Sequence, residues 1–160
     1  MALSNIRVKP LTASIGAEVE GVDLSQPLSK DTFNAVHAAL MDHNVIFFRD
    51  QELTLEQQKV FGRRFGDLHI HPAAPSPEGH PEILRIHADE NSKHVAGGGW
   101  HSDVSCDEEP PMGSILHLHT VPDHGGDTLF SNMYGAYEAL SDKMRQFLDG
   151  LTAKHRSEHV

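Results

Sequence analysis

The residues best suited to chemistry lie between 97 and 111, in "GGGWHSDVSCDEEPP". Here the only tryptophan, a histidine, two aspartates, two glutamates and the only cysteine follow three glycines. On an extended segment residues i and i+2 face the same side, so His101 and Asp103 can present an imidazole nitrogen and a carboxylate oxygen together. Such a pair is half of a metal site. With a further histidine it makes the 2-His-1-carboxylate set that holds ferrous iron and leaves positions open for a co-substrate and dioxygen. Taken alone, a His-x-Asp triplet is as readily a hydrogen-bonded loop pair. Its context strengthens the metal reading: Trp100 can wall the site, and Gly97 to Gly99 let the preceding loop move or approach a ligand closely. A second pair, His117 and His119 in "GSILHLHTV", could serve a cupin-like zinc or manganese site from one strand face. No glutamate follows it at a useful spacing, and a solvated strand face is its plain alternative.

The elements that must position these groups can be read from local signals. "IRVKPLTASIGAEVEGVDLS" suits short strands joined by turns at Gly16 and Gly21. Ser29 can cap a helix whose Phe33, Val36, Leu40 and Met41 form one buried face. "VIFFRD" reads as a buried central strand. Thr54 and Gln57 have the form of a capping box, with Val60, Phe61 and Phe65 as the helical stripe and Gly66 as its close. Asp67 to Pro81 is punctuated by Pro72, Pro75, Pro77 and Pro81 and must be a long loop, a class that is often functional. "EILRIHA", "GSILHLHTV" and "TLFSNM" read as strands, the last two across the reversal "PDHGGD". "YEALSDKMRQFLDG" reads as a helix ending at Gly150, and "LTAKHRSEHV" as the start of another strand. This order predicts an α+β fold whose second half is a β-sandwich or double-stranded barrel with strands missing.

Composition narrows the function. A chain of 160 residues accommodates one domain with a real core. A formal net charge of −10 disfavours nucleic acid and anionic membranes, which are bound through accumulated Lys and Arg. One cysteine, Cys106, permits neither an internal disulfide nor a thiolate metal site, so a cytoplasmic setting is expected. No run of about 18 apolar residues occurs and the first ten lack a signal-peptide core. A small molecule is therefore the expected partner.

"WHSDVS", "PPMGSIL" and "GGDTLF", in this order and spacing, resemble the taurine and 2,4-dichlorophenoxyacetate dioxygenase family. "IGAEVEGVDLSQPLS", "VIFFRDQ", "RRFGDLHIHP" and "YEALS" extend the likeness over nearly the whole chain. The resemblance implies a double-stranded β-helix (jelly roll) with flanking helices, an Fe(II) cofactor, and 2-oxoglutarate and O2 as co-substrates. Succinate and CO2 would be the co-products. It implies His101 and Asp103 as iron ligands, Thr128 as a hydroxyl donor to a 2-oxoglutarate carboxylate, and His71 as a contact to an anionic substrate. Ala74 stands where the taurine branch has a tyrosine, and Gly97 replaces a polar substrate contact. A sulfonate or carboxylate substrate is thus implied, rather than taurine itself. The family's distal histidine and co-substrate arginine belong to a C-terminal half, and His155 and His159 precede that region. Residues 1–160 are accordingly expected to be the N-terminal portion of one dioxygenase domain, inactive alone. An open sheet edge would then invite homo-oligomer formation, and a non-catalytic association module is the alternative outcome.

Overall fold

Ser29 gives the clearest local instruction in the first fifty residues. Its side chain accepts the Thr32 N–H at 3.1 Å and opens helix α1 (Lys30–His43) in a computed structural model that describes residues 6–71, 75–93 and 97–156. Asn44, at φ 62°, closes the helix by donating its N–H to the Leu40 carbonyl at 2.8 Å. Val36 and Ala39 are buried. Met41, expected on that face, is 52% exposed, because five residues on from Val36 lies about 140° around the helix at 3.6 residues per turn.

The chain divides into two compact units, Met1–Leu53 with Leu118–Ala153, and Thr54–His117 with Lys154–Val160. In the first, β1 (Arg7–Pro10) and β2 (Ala17–Glu20) pair antiparallel from Arg7↔Glu20 to Pro10↔Ala17. β3 (Ile46–Phe47) joins β2 in parallel, giving the mixed sheet β1-β2-β3. Alternation puts Ala17 and Val19 in the core, while Glu18, on the other face, pairs with Arg49 at 3.5 Å. The segment "VIFFRD" thus contributes a half-buried edge strand of two residues, not a central one. It leaves the sheet because Asp50 turns at φ 54° and Gln51 folds back, its Oε1 accepting the Leu24 N–H at 2.9 Å.

The helix expected over residues 137–150 is instead divided between two helices, α3 (Met133–Glu138), which begins earlier, and α4 (Asp142–Leu148). Asn132 caps the first, accepting the Gly135 N–H at 3.0 Å, and Ser141 caps the second, accepting the Met144 N–H at 3.3 Å. An internal N-cap outcompetes the apolar periodicity that runs across it.

In the second unit, α2 (Leu55–Gly62) carries the predicted capping box. Thr54 Oγ1 accepts the Gln57 N–H at 3.2 Å, and Gln57 Oε1 accepts the Thr54 N–H at 2.8 Å. The helix ends before Gly66. Phe61 is buried and meets Phe65 edge-on, whereas Val60 is 53% exposed. Lys59 is buried, its ammonium 2.7 Å from Glu56 and 3.4 Å from Glu82; Arg63 approaches Glu82 at 3.5 Å. This cluster ties α2 to the segment after the proline-rich loop. The described parts of that loop contain neither helix nor strand, as its prolines require; Pro72 to Ala74 lie outside the described residues.

Three expected strands, over 82–88, 113–121 and 128–133, enter no ladder among the described residues, and neither does 151–156. Strand character is local, but a strand exists only with a partner. Among the described residues, no helix is long and apolar enough to cross a membrane.

Candidate metal centre

The pair at 101 and 103 is assembled in the second unit by short, local bonds. His101 Nδ1 lies 2.8 Å from the Gly99 carbonyl oxygen, which can only accept, so Nδ1 carries the proton. Nε2 then faces Asp103 Oδ1 at 3.2 Å. In the neutral ring these are two lone-pair atoms facing one another, an arrangement that calls for a cation shared between them. A proton on Nε2 satisfies it as an ion pair; a metal ion satisfies it as a chelate. Metal–nitrogen and metal–oxygen bonds of about 2.1 Å place neighbouring ligands about 3 Å apart, the spacing found here. Donation of the remote imidazole N–H to a backbone carbonyl is also what metal-bound histidines usually show. The residues present therefore fit a divalent metal as two of its ligands. Both side chains are just over half exposed, which leaves room for further ligands. Among the described residues no third histidine, cysteine or carboxylate completes the set.

The remote oxygen of Asp103 is also engaged, with Ser114 Oγ donating to Oδ2 at 2.6 Å. Gly97, at φ 79°, packs beside the imidazole, a Cβ built there lying 3.5 Å from His101 Cε1. Val104, directly after Asp103, has φ 51°, a conformation a β-branched residue rarely adopts, so the backbone is strained in the turn that Asp103 opens. The Asp107 N–H closes that turn on the Val104 carbonyl at 3.1 Å.

His71 is half-buried, with its ring 6.4 Å from that of His69. His69 Nε2 lies 3.0 Å from Asp107 Oδ2, which links the 69–71 stretch to the segment bearing the metal pair. His155 reaches the same segment but meets Ser105, Nδ1 to Oγ 3.0 Å, rather than the pair; His159 and Ala74 lie outside the described residues. Trp100, expected to wall the site, is 73% exposed. Thr128 is exposed and belongs to the first unit. His117 and His119 fall on either side of the boundary between units, in a stretch without a ladder, so the shared strand face expected for them is not formed.

Residues 7–160 match the family described as "Taurine catabolism dioxygenase TauD, TfdA family". The chain belongs to that family. It is 36% identical over 155 residues to an alkylsulfatase of Acinetobacter baylyi, covering 96% of this chain and 48% of that protein. It is 37% identical over 153 residues to an alpha-ketoglutarate-dependent sulfate ester dioxygenase of Pseudomonas putida, covering 95% and 50%. The crystal structure of a taurine dioxygenase from Burkholderia xenovorans superposes with a TM-score of 0.80 at 43% identity, over 91% of this chain and 51% of that one. The chain spans about half the length of the curated relatives it matches.

Sequence reasoning reached the two candidate ligands of this TauD/TfdA family member but none of the groups that orient them. The Gly99 carbonyl carries no residue-type signal. Ser114 is eleven residues from Asp103, and Asp107 is 38 from His69. Only a fold brings such pairs together.

Proposed function

We propose that residues 1–160 are the N-terminal part of a single Fe(II)- and 2-oxoglutarate-dependent dioxygenase domain of double-stranded β-helix type, acting on a small anionic organic molecule. The observation that carries this reading is the Nε2–Oδ1 approach of His101 and Asp103, with Nδ1 already committed to the Gly99 carbonyl. Sulfonate, sulfate ester and carboxylate substrates are the class to test: two relatives are named an alkylsulfatase and a sulfate ester dioxygenase, and another a (S)-phenoxypropionate/alpha-ketoglutarate-dioxygenase.

When bound, iron would supply activation of dioxygen coupled to decarboxylation of 2-oxoglutarate, giving succinate and CO2. The chain's own part is to bind and orient. His101, through Nε2, and Asp103, through Oδ1, hold the metal. The carbonyl of Gly99 keeps the imidazole in the tautomer that leaves Nε2 free to ligate. By the family likeness alone, Thr128 would be the residue whose hydroxyl donates to a carboxylate of 2-oxoglutarate. His71 donates an imidazole N–H to the anionic group of the substrate, which sets where the target C–H lies.

Two measurements test the proposal. Mn(II), an air-stable surrogate for Fe(II), titrated into the chain and followed by EPR should bind, and His101→Ala and Asp103→Ala should each remove that binding. For activity, the chain is joined to the second half of the Pseudomonas putida sulfate ester dioxygenase and assayed for succinate with alkyl sulfates and sulfonates. Succinate formation is expected and should disappear in Asp103→Ala. Undiminished turnover in that variant would overturn the proposal.

A further inference from the structure

We infer that Ser114 is a positioning residue for the metal centre, holding Asp103 as a ligand through one oxygen only. The inference rests on the proposed metal site and concerns how its acidic ligand is aimed. A carboxylate can turn about its last side-chain bond and offer a metal either oxygen or both. Here Oδ2 is occupied by the Ser114 hydroxyl at 2.6 Å, within the range of charge-assisted O–H···O⁻ bonds, and Oδ1 is the oxygen left facing His101 Nε2. Both ligands are thus fixed by their remote atoms, His101 by the Gly99 carbonyl and Asp103 by Ser114.

Ser114 is itself anchored. The next residue, Ile115, accepts the Gln58 side-chain N–H on its carbonyl at 3.2 Å, and its Cδ1 would be 3.6 Å from a Cβ on Gly62. Gln58 and Gly62 are four apart on α2 and share one face, so that face holds position 115 and with it the serine. A continuous series of contacts then runs from the Thr54–Gln57 capping box through α2, Ile115 and Ser114 to the ligand oxygen.

The competing role is a simple loop staple, which would affect folding and not metal binding. Mn(II) titration of the 160-residue chain by EPR separates the two, using wild type, Ser114→Ala, Ser114→Thr and Asp103→Ala. Removing an outer-shell partner typically costs 10–100-fold in metal affinity, so Ser114→Ala should weaken Mn(II) binding by about that factor. Ser114 is exposed, so the thermal midpoint of the metal-free chain should stay unchanged. Ser114→Thr keeps the hydroxyl and should restore affinity to within about threefold of wild type, short of the 10–100-fold loss. Wild-type affinity in Ser114→Ala, with binding lost in Asp103→Ala, refutes the role of Ser114 and leaves the metal centre standing. A threonine variant as weak as the alanine one refutes it also, since the hydroxyl would not be the cause. Wild-type affinity in Asp103→Ala refutes the metal site itself.

Discussion

Replacing Gly97 by alanine should loosen the imidazole ligand without unfolding the protein. Gly97 sits at φ 79°, and an L-residue in that left-handed region costs about 1–2 kcal/mol. Alanine also restricts the unfolded chain, which returns about 0.4–1 kcal/mol. The difference is about 1 kcal/mol against the observed loop conformation. Space does not add to it, because the new Cβ would meet His101 Cε1 at 3.5 Å, an ordinary van der Waals contact. About 1 kcal/mol is roughly a fivefold shift in a two-state loop equilibrium. The loop is exposed, so the shift should stay local. Mn(II) affinity should therefore fall by up to about fivefold while the urea midpoint of the chain is unchanged. In 15N spectra the His101 tautomer pattern should lose its Nδ1–H character in part as the bond to Gly99 loosens. A D-alanine at 97, which prefers positive φ, should restore both. If Gly97→Ala leaves affinity and tautomer untouched, or D-alanine fails to rescue, backbone conformation at 97 does not govern the site.

Thr54→Ala should destabilise the second unit by about 1 kcal/mol through loss of the cap, read as a lower urea midpoint. Combining it with Gln57→Ala should cost less than the sum of the two single changes, because each partner satisfies the other. Acid should weaken the same unit. Glu56 is held below its ordinary value of 4.5 chiefly by the hydrogen bond from Lys59, and Glu82 chiefly by a backbone N–H with Lys59 and Arg63 adding to it. Depressed carboxylates contribute stability that is complete above their ordinary value and lost as the pH falls through the folded one, so urea midpoints should drop progressively below pH 4.5. Lys59→Met should flatten that drop. At the alkaline end the Glu56 hydrogen bond raises Lys59 above its ordinary 10.5, so its contribution should persist to that pH and fade only beyond it.

What could be read from the sequence is what closes over short range. Ser29 and Thr54 announce α1 and α2 because an N-cap is completed within three residues. His101 and Asp103 were legible because they stand two positions apart, although Asp103 opens a turn and does not continue the extended segment expected for the pair. Ser141 carried the signal that splits α3 from α4, but the apolar spacing of Tyr137, Leu140 and Met144 masked it. The two-residue pairing of β3 was beyond local reading, since it depends on where Asp50 and Gln51 take the chain. Glu82, Asp107 and Ser114 find partners 23, 38 and 11 residues away, and no periodicity encodes such distances.

The unpaired segments follow from the same distinction and bear on how the site is held. In a jelly roll, strands adjacent in a sheet come from distant stretches of sequence, because each Greek key returns its fourth strand beside its first through a long connection. A chain spanning about half the length of its relatives can carry strand patterns whose ladder neighbours those residues do not contain. Leu116, Leu118 and Leu129, 59%, 61% and 72% exposed within such patterns, fit the proposed fold in this way. Among the described residues the segment carrying His101 and Asp103 enters no ladder. Its geometry then rests on individual bonds: the Gly99 carbonyl to Nδ1, the Ser114 hydroxyl to Oδ2, and the Asp107 turn tied to His69. A sheet would spread the effect of losing any one bond over many others, whereas here loss of either of the first two falls directly on a ligand side chain. For that reason single substitutions at Gly97 and Ser114, both exposed, should register in metal affinity before they register in stability.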